Sequence, residues 1–203
     1  MSGWTKHNGM AVALAVDNVD TDQLIPARFM SRPRKDGYGD LLLHDFRKTA
    51  IGSENADFIL NRFPEASVLL AGRNFGSGSS REAAVYALVD AGIQAVFATS
   101  FGDIFTSNAI NNGLLPACVS DADYAQLRSL IGTTVQPVCV DLTMREISVG
   151  EVAVAFRLDD ALHTKLVNGW DDIDLTLDHS EKIASYRENR KQRLPWSCPA
   201  TVI

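Results

Sequence analysis

A short glycine- and serine-rich segment contains the residues of this sequence that are best suited to bind a ligand. It spans residues 72–82, GRNFGSGSSRE, between a short apolar run and a stretch with helical spacing. Glycines such as Gly78 let the backbone bend tightly and let a ligand approach the main chain. The start of a helix exposes unpaired N–H groups, and Arg81 adds a permanent charge whose fork geometry suits a carboxylate. The segment predicts an anion site made of backbone amides, the hydroxyls of Ser79 and Ser80, and one guanidinium.

Other motifs with similar composition do not fit this segment. A dinucleotide fingerprint needs a third glycine where the chain has Arg81. A Walker loop needs Gly-Lys-Ser/Thr, and a nucleophile elbow needs glycines two residues on either side of a serine; neither pattern occurs here. Ser79 and Glu82 have capping-box spacing, which predicts Ser79 at or near the N-cap of the next helix. A tight turn and a capped helix without any ligand stay open as an explanation.

A second polar segment, residues 18–29 (NVDTDQLIPARF), places two aspartates two residues apart. Asp20 and Asp22 could orient a base or bind a cation, but no further ligands follow at the spacing of a calcium loop. An Asx-turn leading into Pro26 explains the same residues without a ligand. Taken alone, the segment therefore favours a turn.

A basic loop follows. Residues 31–40, SRPRKDGYGD, hold a proline, two glycines and three basic residues, which is a composition typical of a mobile surface loop. Together with Arg28, the side chains of Arg32, Arg34 and Lys35 could meet a di- or tricarboxylate. A solvated run of charge is the alternative, and it is the more common outcome.

The elements around these segments alternate in the manner of an α/β domain. Strands are predicted by short apolar runs at residues 10–16, 68–71, 94–98 and 114–119. Helices are predicted at residues 57–63, 82–91, 104–112 and 121–131, the last with Asp121 as its cap. This order predicts parallel strand pairs. Period-two alternation then predicts antiparallel strands at 135–142, 146–149 and 151–157, and two helices follow at 159–168 and 180–190.

Composition excludes several classes of protein. The chain has 203 residues and a net charge of −6, so nothing indicates a nucleic-acid or anionic-membrane partner. No apolar run is long enough to span a membrane, and MSGWTKHNG lacks the pattern of a signal peptide. Three cysteines without a CxxC pair predict neither a disulfide framework nor a metal or Fe–S site built from this chain alone. Reduced thiols in the cytoplasm are the expectation.

Three segments in this order resemble the signatures of the aconitase superfamily's swivel domain. They are NVDTDQLIPARF, GRNFGSGSSREAAVYAL and, at residues 100–116, SFGDIFTSNAINNGLLP; the last is most like the small subunits of the leucine-pathway enzymes. Weaker similarity continues through residue 189, so the resemblance covers nearly the whole chain. It implies an α/β fold, a β-barrel-like mixed sheet flanked by helices. It also implies a single swivel domain over residues 1–203, with a C-terminal helical extension from about residue 159.

The resemblance implies roles for particular residues. Ser79 matches the serine that removes the substrate proton as an alkoxide, and Arg81 matches the arginine that binds a substrate carboxylate and stabilises that serine. Asp22 matches an active-site aspartate, while Ser80 and Gly78 fall among the substrate-binding positions. An arginine of the following loop also binds substrate in this family. Spacing favours Arg34, with Arg32 and Arg28 as alternatives. Relatives often have Cys where this chain has Ser77 and His where it has Ala83.

The implied activity is that of a hydro-lyase with a separate large subunit. That subunit is expected to hold the [4Fe–4S] cluster, because this chain lacks the cysteines for one. The expected reaction interconverts 2-isopropylmalate and 3-isopropylmalate, with homoaconitate, citramalate/citraconate and dimethylmalate as alternative substrates. A non-catalytic carboxylate-binding module is the alternative from another class. An isolated chain could self-associate, because the surface that covers the cluster would be exposed.

Overall fold

Short, almost wholly apolar strands form one half of a seven-stranded sheet in the computed structural model, which describes residues 2–78 and 81–197. The strands are β1 (Lys6–Leu14), β2 (Val68–Ala71), β3 (Ala95–Ala98), β4 (Leu115–Cys118), β5 (Gln136–Asp141), β6 (Glu146–Val149) and β7 (Val152–Ala155). Their order in the sheet is β4-β3-β2-β1-β5-β6-β7. Strands β1 to β4 pair in parallel, and β5 to β7 continue antiparallel from β1.

Helices cover the sheet and continue beyond it in the described residues. Three short helices lie between β1 and β2, and three longer ones separate or follow the parallel strands. The helices are α1 (Thr21–Leu24), α2 (His44–Arg47), α3 (Ile59–Arg62), α4 (Glu82–Asp90), α5 (Asp103–Asn111), α6 (Asp121–Ile131), α7 (Asp160–Asn168), α8 (Asp172–Leu177) and α9 (Ser180–Arg193). The βαβ order of the parallel half matches the alternation in the sequence.

The sheet curls until its two edges meet. Cys118, at the end of β4, exchanges backbone hydrogen bonds with Arg157, two residues after β7. The Arg157 N–H donates to the Cys118 carbonyl at 2.7 Å, and the Cys118 N–H donates to the Arg157 carbonyl at 3.2 Å. The mixed sheet is therefore barrel-like, which confirms the fold class predicted from the sequence.

Strand β2 shows why the parallel half is continuously apolar. Leu69 and Ala71 join a core cluster with residues of α1 and α4, while Val68 and Leu70 join a second cluster with residues of α6 and β5 to β7. Successive side chains of a strand point to opposite faces, and both faces of this strand are covered. An apolar residue is therefore required at every position of β2.

Several boundaries differ from the sequence predictions for identifiable reasons. Strand β1 starts at Lys6 rather than residue 10, because its polar start pairs with β5 up to Asp141. The cap of α6 is Ser120, whose side chain accepts from the Asp123 N–H, so the prediction of Asp121 as the cap is wrong. Helix α4 begins at Glu82 with Arg81 as N-cap, and Arg81 makes no side-chain capping hydrogen bond; Ser79, predicted at or near the N-cap, lies outside the described residues. Helix α8 was not predicted at all.

Gly76 is a position where only glycine fits. Its φ is +70°, and an added Cβ would lie 2.2 Å from Cγ of Phe105. Gly92, just after α4, has a similar φ of +86° but open space around the missing Cβ. The two glycines therefore share the backbone strain that a side chain would introduce, and only Gly76 adds a steric clash.

We expect Gly76→Ala to destabilise the protein more than Gly92→Ala. A left-handed backbone costs an alanine about 1–2 kcal/mol, and overpacking against Phe105 adds about 1–3 kcal/mol at Gly76 alone. Urea unfolding followed by circular dichroism measures both free energies of unfolding. Equal losses in the two variants would contradict the tight packing between Gly76 and α5.

Candidate active site

Three loops meet at the carboxyl ends of β1, β2 and β3, joined through their backbones. The Gly76 N–H donates to the Val19 carbonyl at 2.7 Å, and the Thr21 N–H donates to the Ser77 carbonyl at 3.0 Å. On the other side, the Gly102 N–H donates to the Phe75 carbonyl at 3.0 Å. The carboxyl edge of parallel strands is the usual place for a ligand site in α/β folds. The three sequence signatures thus form one contiguous surface.

The first loop owes its shape to a capping box. The Asp20 carboxylate accepts from the Gln23 N–H at 2.7 Å, and the Gln23 side chain accepts from the Asp20 N–H at 2.9 Å. This reciprocal pair starts the four-residue helix α1 and satisfies two otherwise unpaired donors. Asp20 is therefore committed to the backbone, whereas Asp22 in the first turn of α1 is free to face another loop.

Asp22 and Arg81 form an ion pair across the first and second loops. The Arg81 side chain is only 19% exposed, while Asp22 is 53% exposed. A mostly buried guanidinium needs a compensating anion, and Asp22 provides it. A guanidinium has five N–H donors, so one carboxylate oxygen leaves donors available to a second acceptor. The structure brings these two predicted site residues together.

A pocket of about 180 Å³ opens beside this pair. Its walls come from all three loops and from the start of α5, and the lining residues are Thr21, Gly76, Gly78, Arg81, Gly102, Asp103, Ile104, Phe105 and Asn108. Gly78 has a φ of +91°, so the backbone there adopts a shape that favours glycine. Ser79 and Ser80, the predicted base and its neighbour, lie outside the described residues; Gly78 and Arg81 border them on the pocket wall.

The pocket also contains residues that the sequence prediction did not select. Thr21 belongs to the first signature, and Asp103 and Asn108 come from α5 in the third. The spacing of Ile104 and Asn108, one helical turn apart, was the available signal that this face of α5 points toward the loops. Thr21 carries no sequence signal beyond its place in the signature.

The three loop arginines are each paired with a carboxylate instead of facing the pocket. Arg28 pairs with Asp45, Arg32 with Asp40 and Arg34 with Asp90, and the three pairs have no member in common. Hydrogen bonds from Arg28, followed by His44, lower the pKa of Asp45 to about 2. None of the three pairs includes Arg81 or Asp22.

Arg34 is held most specifically. Its guanidinium lies 2.5 Å from the Asp90 carboxylate and 4.3 Å from the ring centroid of Tyr86. The same Asp90 oxygen accepts from the Tyr38 N–H at 2.7 Å. Asp90 is the last residue of α4 and Arg81 caps its first turn, so the two are about 13 Å apart along the helix axis. The structure does not bring Arg34 to Arg81.

The two cysteines in the described residues do not meet at one site. Cys118 lies on β4 and Cys139 on β5, and the shorter path between them along the curled sheet passes through the closing junction and crosses β7 and β6. Cys198 lies outside the described residues. Within residues 2–78 and 81–197, no group of three or more His, Cys, Asp or Glu side chains is arranged to hold a metal ion. The thiolate set of a [4Fe–4S] cluster does not fit the described part of this chain.

A larger cavity of about 670 Å³ lies next to the third loop, at the junction where the sheet closes. It is lined mainly by apolar side chains, among them Phe101, Phe156 and Leu162, and its charged lining residues are Arg145, Arg157 and Asp159. It contains none of the predicted site residues.

The described helices include none long and apolar enough to cross a membrane.

Two family models and several relatives match most of this chain. The model of the aconitase C-terminal domain family matches residues 1–122, and the model of the C-terminal domain of the 3-isopropylmalate dehydratase small subunit matches residues 172–197. The 3-isopropylmalate dehydratase small subunit of Shewanella denitrificans is 45% identical over 195 residues, covering 93% of this chain and 97% of the relative. That of Shewanella baltica is 44% identical over 192 residues, covering 92% and 96%.

A solved structure shares the fold. The crystal structure of 3-isopropylmalate dehydratase from Methanocaldococcus jannaschii superposes with a TM-score of 0.64 at 28% identity, covering 90% of this chain and 99% of that one. The relatives and the solved structure cover at least 90% of the chain, and the family models match residues 1–122 and 172–197. The chain belongs to the 3-isopropylmalate dehydratase small-subunit family, and its first 122 residues are an aconitase C-terminal domain.

Proposed function

We propose that this chain is the small subunit of a hydro-lyase that interconverts 2-isopropylmalate and 3-isopropylmalate through 2-isopropylmaleate, in leucine biosynthesis. The observation that carries the proposal is the pocket beside the Arg81–Asp22 pair, where the three signature loops meet. The names of relatives that align over more than 90% of the chain support the substrate. A cytoplasmic location stays a prediction.

The chemistry of this reaction asks for a base and for anion binding. Dehydration breaks a C–H bond, its electron pair forms the C=C bond, and hydroxide leaves the neighbouring carbon. We assign proton removal to the Ser79 side chain, which acts as an alkoxide. A serine hydroxyl is a weak base at neutral pH, so its alkoxide needs a nearby cation and backbone amides. Arg81, two residues on and at the start of α4, supplies the cation in this proposal.

Arg81 has a second task in the proposal, which is to bind a substrate carboxylate. Its pairing with Asp22 holds the guanidinium in place and compensates its charge before the substrate arrives. The small subunit thus provides the base and the anion site. Departure of hydroxide needs an electrophile, and a [4Fe–4S] cluster would supply Lewis acidity there. We propose that the large subunit holds it, because Cys118 and Cys139, the two cysteines in the described residues, lie on different strands.

The second carboxylate of the substrate calls for another cation. We propose that one loop arginine supplies it, with Arg34 favoured by spacing and Arg32 and Arg28 as alternatives. Each would have to exchange its internal carboxylate for that of the substrate. Homoaconitate, citramalate and dimethylmalate differ from isopropylmalate in the arm that this loop would meet.

Ser79→Ala should abolish activity of the reconstituted two-subunit enzyme. Loss of a positioned general base lowers kcat by about 10²–10⁴-fold. The assay is anaerobic reconstitution with the cognate large subunit, followed by absorbance of the unsaturated product from 3-isopropylmalate and, for comparison, from citramalate. The control is Ser129→Ala, an exposed serine on α6, which should leave kcat unchanged. Activity of the large subunit alone, or full activity of Ser79→Ala, would make this chain a binding partner without a catalytic role.

Arg81→Lys should lower kcat/KM by about 10- to 100-fold, because the ammonium keeps the charge but loses the two-pronged hydrogen bonding that suits a carboxylate. The matched control is Arg128→Lys on the exposed side of α6. Steady-state kinetics on 3-isopropylmalate measure both. If the two lysine variants have equal kcat/KM, Arg81 does not bind substrate.

A series of single alanine variants should identify the substrate-binding arginine of the loop. The variant that removes it raises KM by about tenfold or more, because a charge-assisted hydrogen bond to carboxylate is lost. We expect this of Arg34→Ala, with Arg32→Ala and Arg28→Ala near the wild-type KM. Thermal unfolding of each isolated chain separates loss of an internal ion pair from loss of binding. A large KM effect at Arg32 or Arg28 instead would reassign the role.

A further inference from the structure

The end of the chain exposes an unusual amount of apolar surface. Ten large apolar side chains of the described residues are exposed, and six of them fall between residues 173 and 196. The six are Ile173 (66% exposed), Leu177 (58%), Ile183 (41%), Tyr186 (63%), Leu194 (39%) and Trp196 (81%). Scattered exposed apolar residues are normal, but a concentration of them marks an interaction surface. We call residues 172–197 the arm.

Helix α9, within the arm, buries none of its residues against the rest of the described chain. All of its 14 residues are exposed. Isolated helices of this length are marginal in water, because most helical stability in proteins comes from packing one face. Its N-cap, His179, makes no side-chain capping hydrogen bond either. The helix therefore lacks, within the described part of this chain, a packed face that would stabilise it.

One face of α9 combines apolar and cationic groups. Ile183, Tyr186, Arg187 and Arg190 follow the i, i+3, i+4, i+7 spacing of a single helical face. Tyrosine and arginine are the residue types enriched where protein interfaces are strongest. The helix holds five basic and two acidic residues, a net charge of +3, in a chain whose net charge is −6. Its counterpart should therefore be an acidic surface with an apolar groove.

The boundaries of the two family domains indicate which protein carries this acidic surface. The aconitase C-terminal domain matches residues 1–122, whereas residues 172–197 match a separate domain named for the small subunit. The exposed segment and that domain coincide. The arm is thus a feature of chains that work as a separate subunit, for which attachment to the partner has to come from non-covalent contacts.

We propose that the arm docks on the large subunit through the Ile183, Tyr186, Arg187 and Arg190 face of α9, with the aromatic and aliphatic groups in an apolar groove and the arginines against acidic residues. The proposal rests on the proposed function, which supplies the large subunit as partner. The arm then acts as a tether that keeps the Arg81 pocket near the large subunit, and it takes no part in the chemistry.

The test is the affinity between the two chains, measured by isothermal titration calorimetry with the full-length small subunit and the cognate large subunit. Ile183→Ser combined with Tyr186→Ser should weaken binding by about tenfold or more, as loss of interface anchors does. Arg187→Gln combined with Arg190→Gln should also weaken binding, with less dependence on salt than the wild type. The matched control is Ile51→Ser combined with Met144→Ser, which changes residues 90% and 64% exposed outside the arm and should bind within about twofold of wild type.

Other readouts separate the outcomes. Thermal unfolding of the isolated small subunit should not change, because the altered side chains touch no core. Wild-type affinity in both α9 double variants would overturn the docking proposal. So would a loss of self-association by sedimentation velocity with unchanged heteromer affinity, since the arm would then bind a second copy. Ser79→Ala should bind the large subunit like wild type, so its loss of activity tests the proposed function separately. Failure of the wild-type chains to associate would overturn both.

Discussion

Backbone hydrogen bonds between the three signature loops are the interaction on which the candidate site depends. The Gly76 and Thr21 amides join the second loop to the first, and the Gly102 amide joins it to the third. These bonds need the backbones of the loops to approach closely. Glycine at position 102 permits this, because an added Cβ there would lie 2.6 Å from the Gly76 carbonyl oxygen. The Arg81–Asp22 pair is a consequence, because it spans two loops whose main chains are already fixed.

The strands of the parallel half could be predicted closely, because burial on both faces makes each of them a short apolar run in the sequence. Every position of β2 is buried on one face or the other, so its apolar run coincides with the strand. Strand β1 was predicted too short because Lys6 to Gly9 are ordered by pairing with β5, a partner more than a hundred residues away. Helix α8 depends on a capping box in which Asp174 replaces the usual Glu or Gln, and that substitution hid it.

The site was predictable in its parts and less so in its arrangement. Sequence patterns selected Arg81 and Asp22 separately, and only the fold brings them into contact. For the loop arginines, the sequence suggested a grouping that the fold does not form. Their number and spacing suggested a shared anion site, yet each has a carboxylate partner supplied by a different element, and Asp90 from the far end of α4 holds Arg34. Local sequence cannot report such partners, because they are separated by up to 56 residues.

The central position of β1 has a consequence for synthesis of the chain. Ala11 pairs with Val68 on one side and Gln136 on the other, so the first strand to be made is fixed on its second side only when the antiparallel half exists. At about 5–20 residues per second, translation of the stretch from Val68 to Gln136 takes roughly 3–14 s. For that interval a nascent chain with β1 paired to β2 presents an open strand edge, the kind of surface that recruits other chains. The mixed topology that forms the barrel-like sheet thus makes its half-made form a natural client for chaperones at the ribosome.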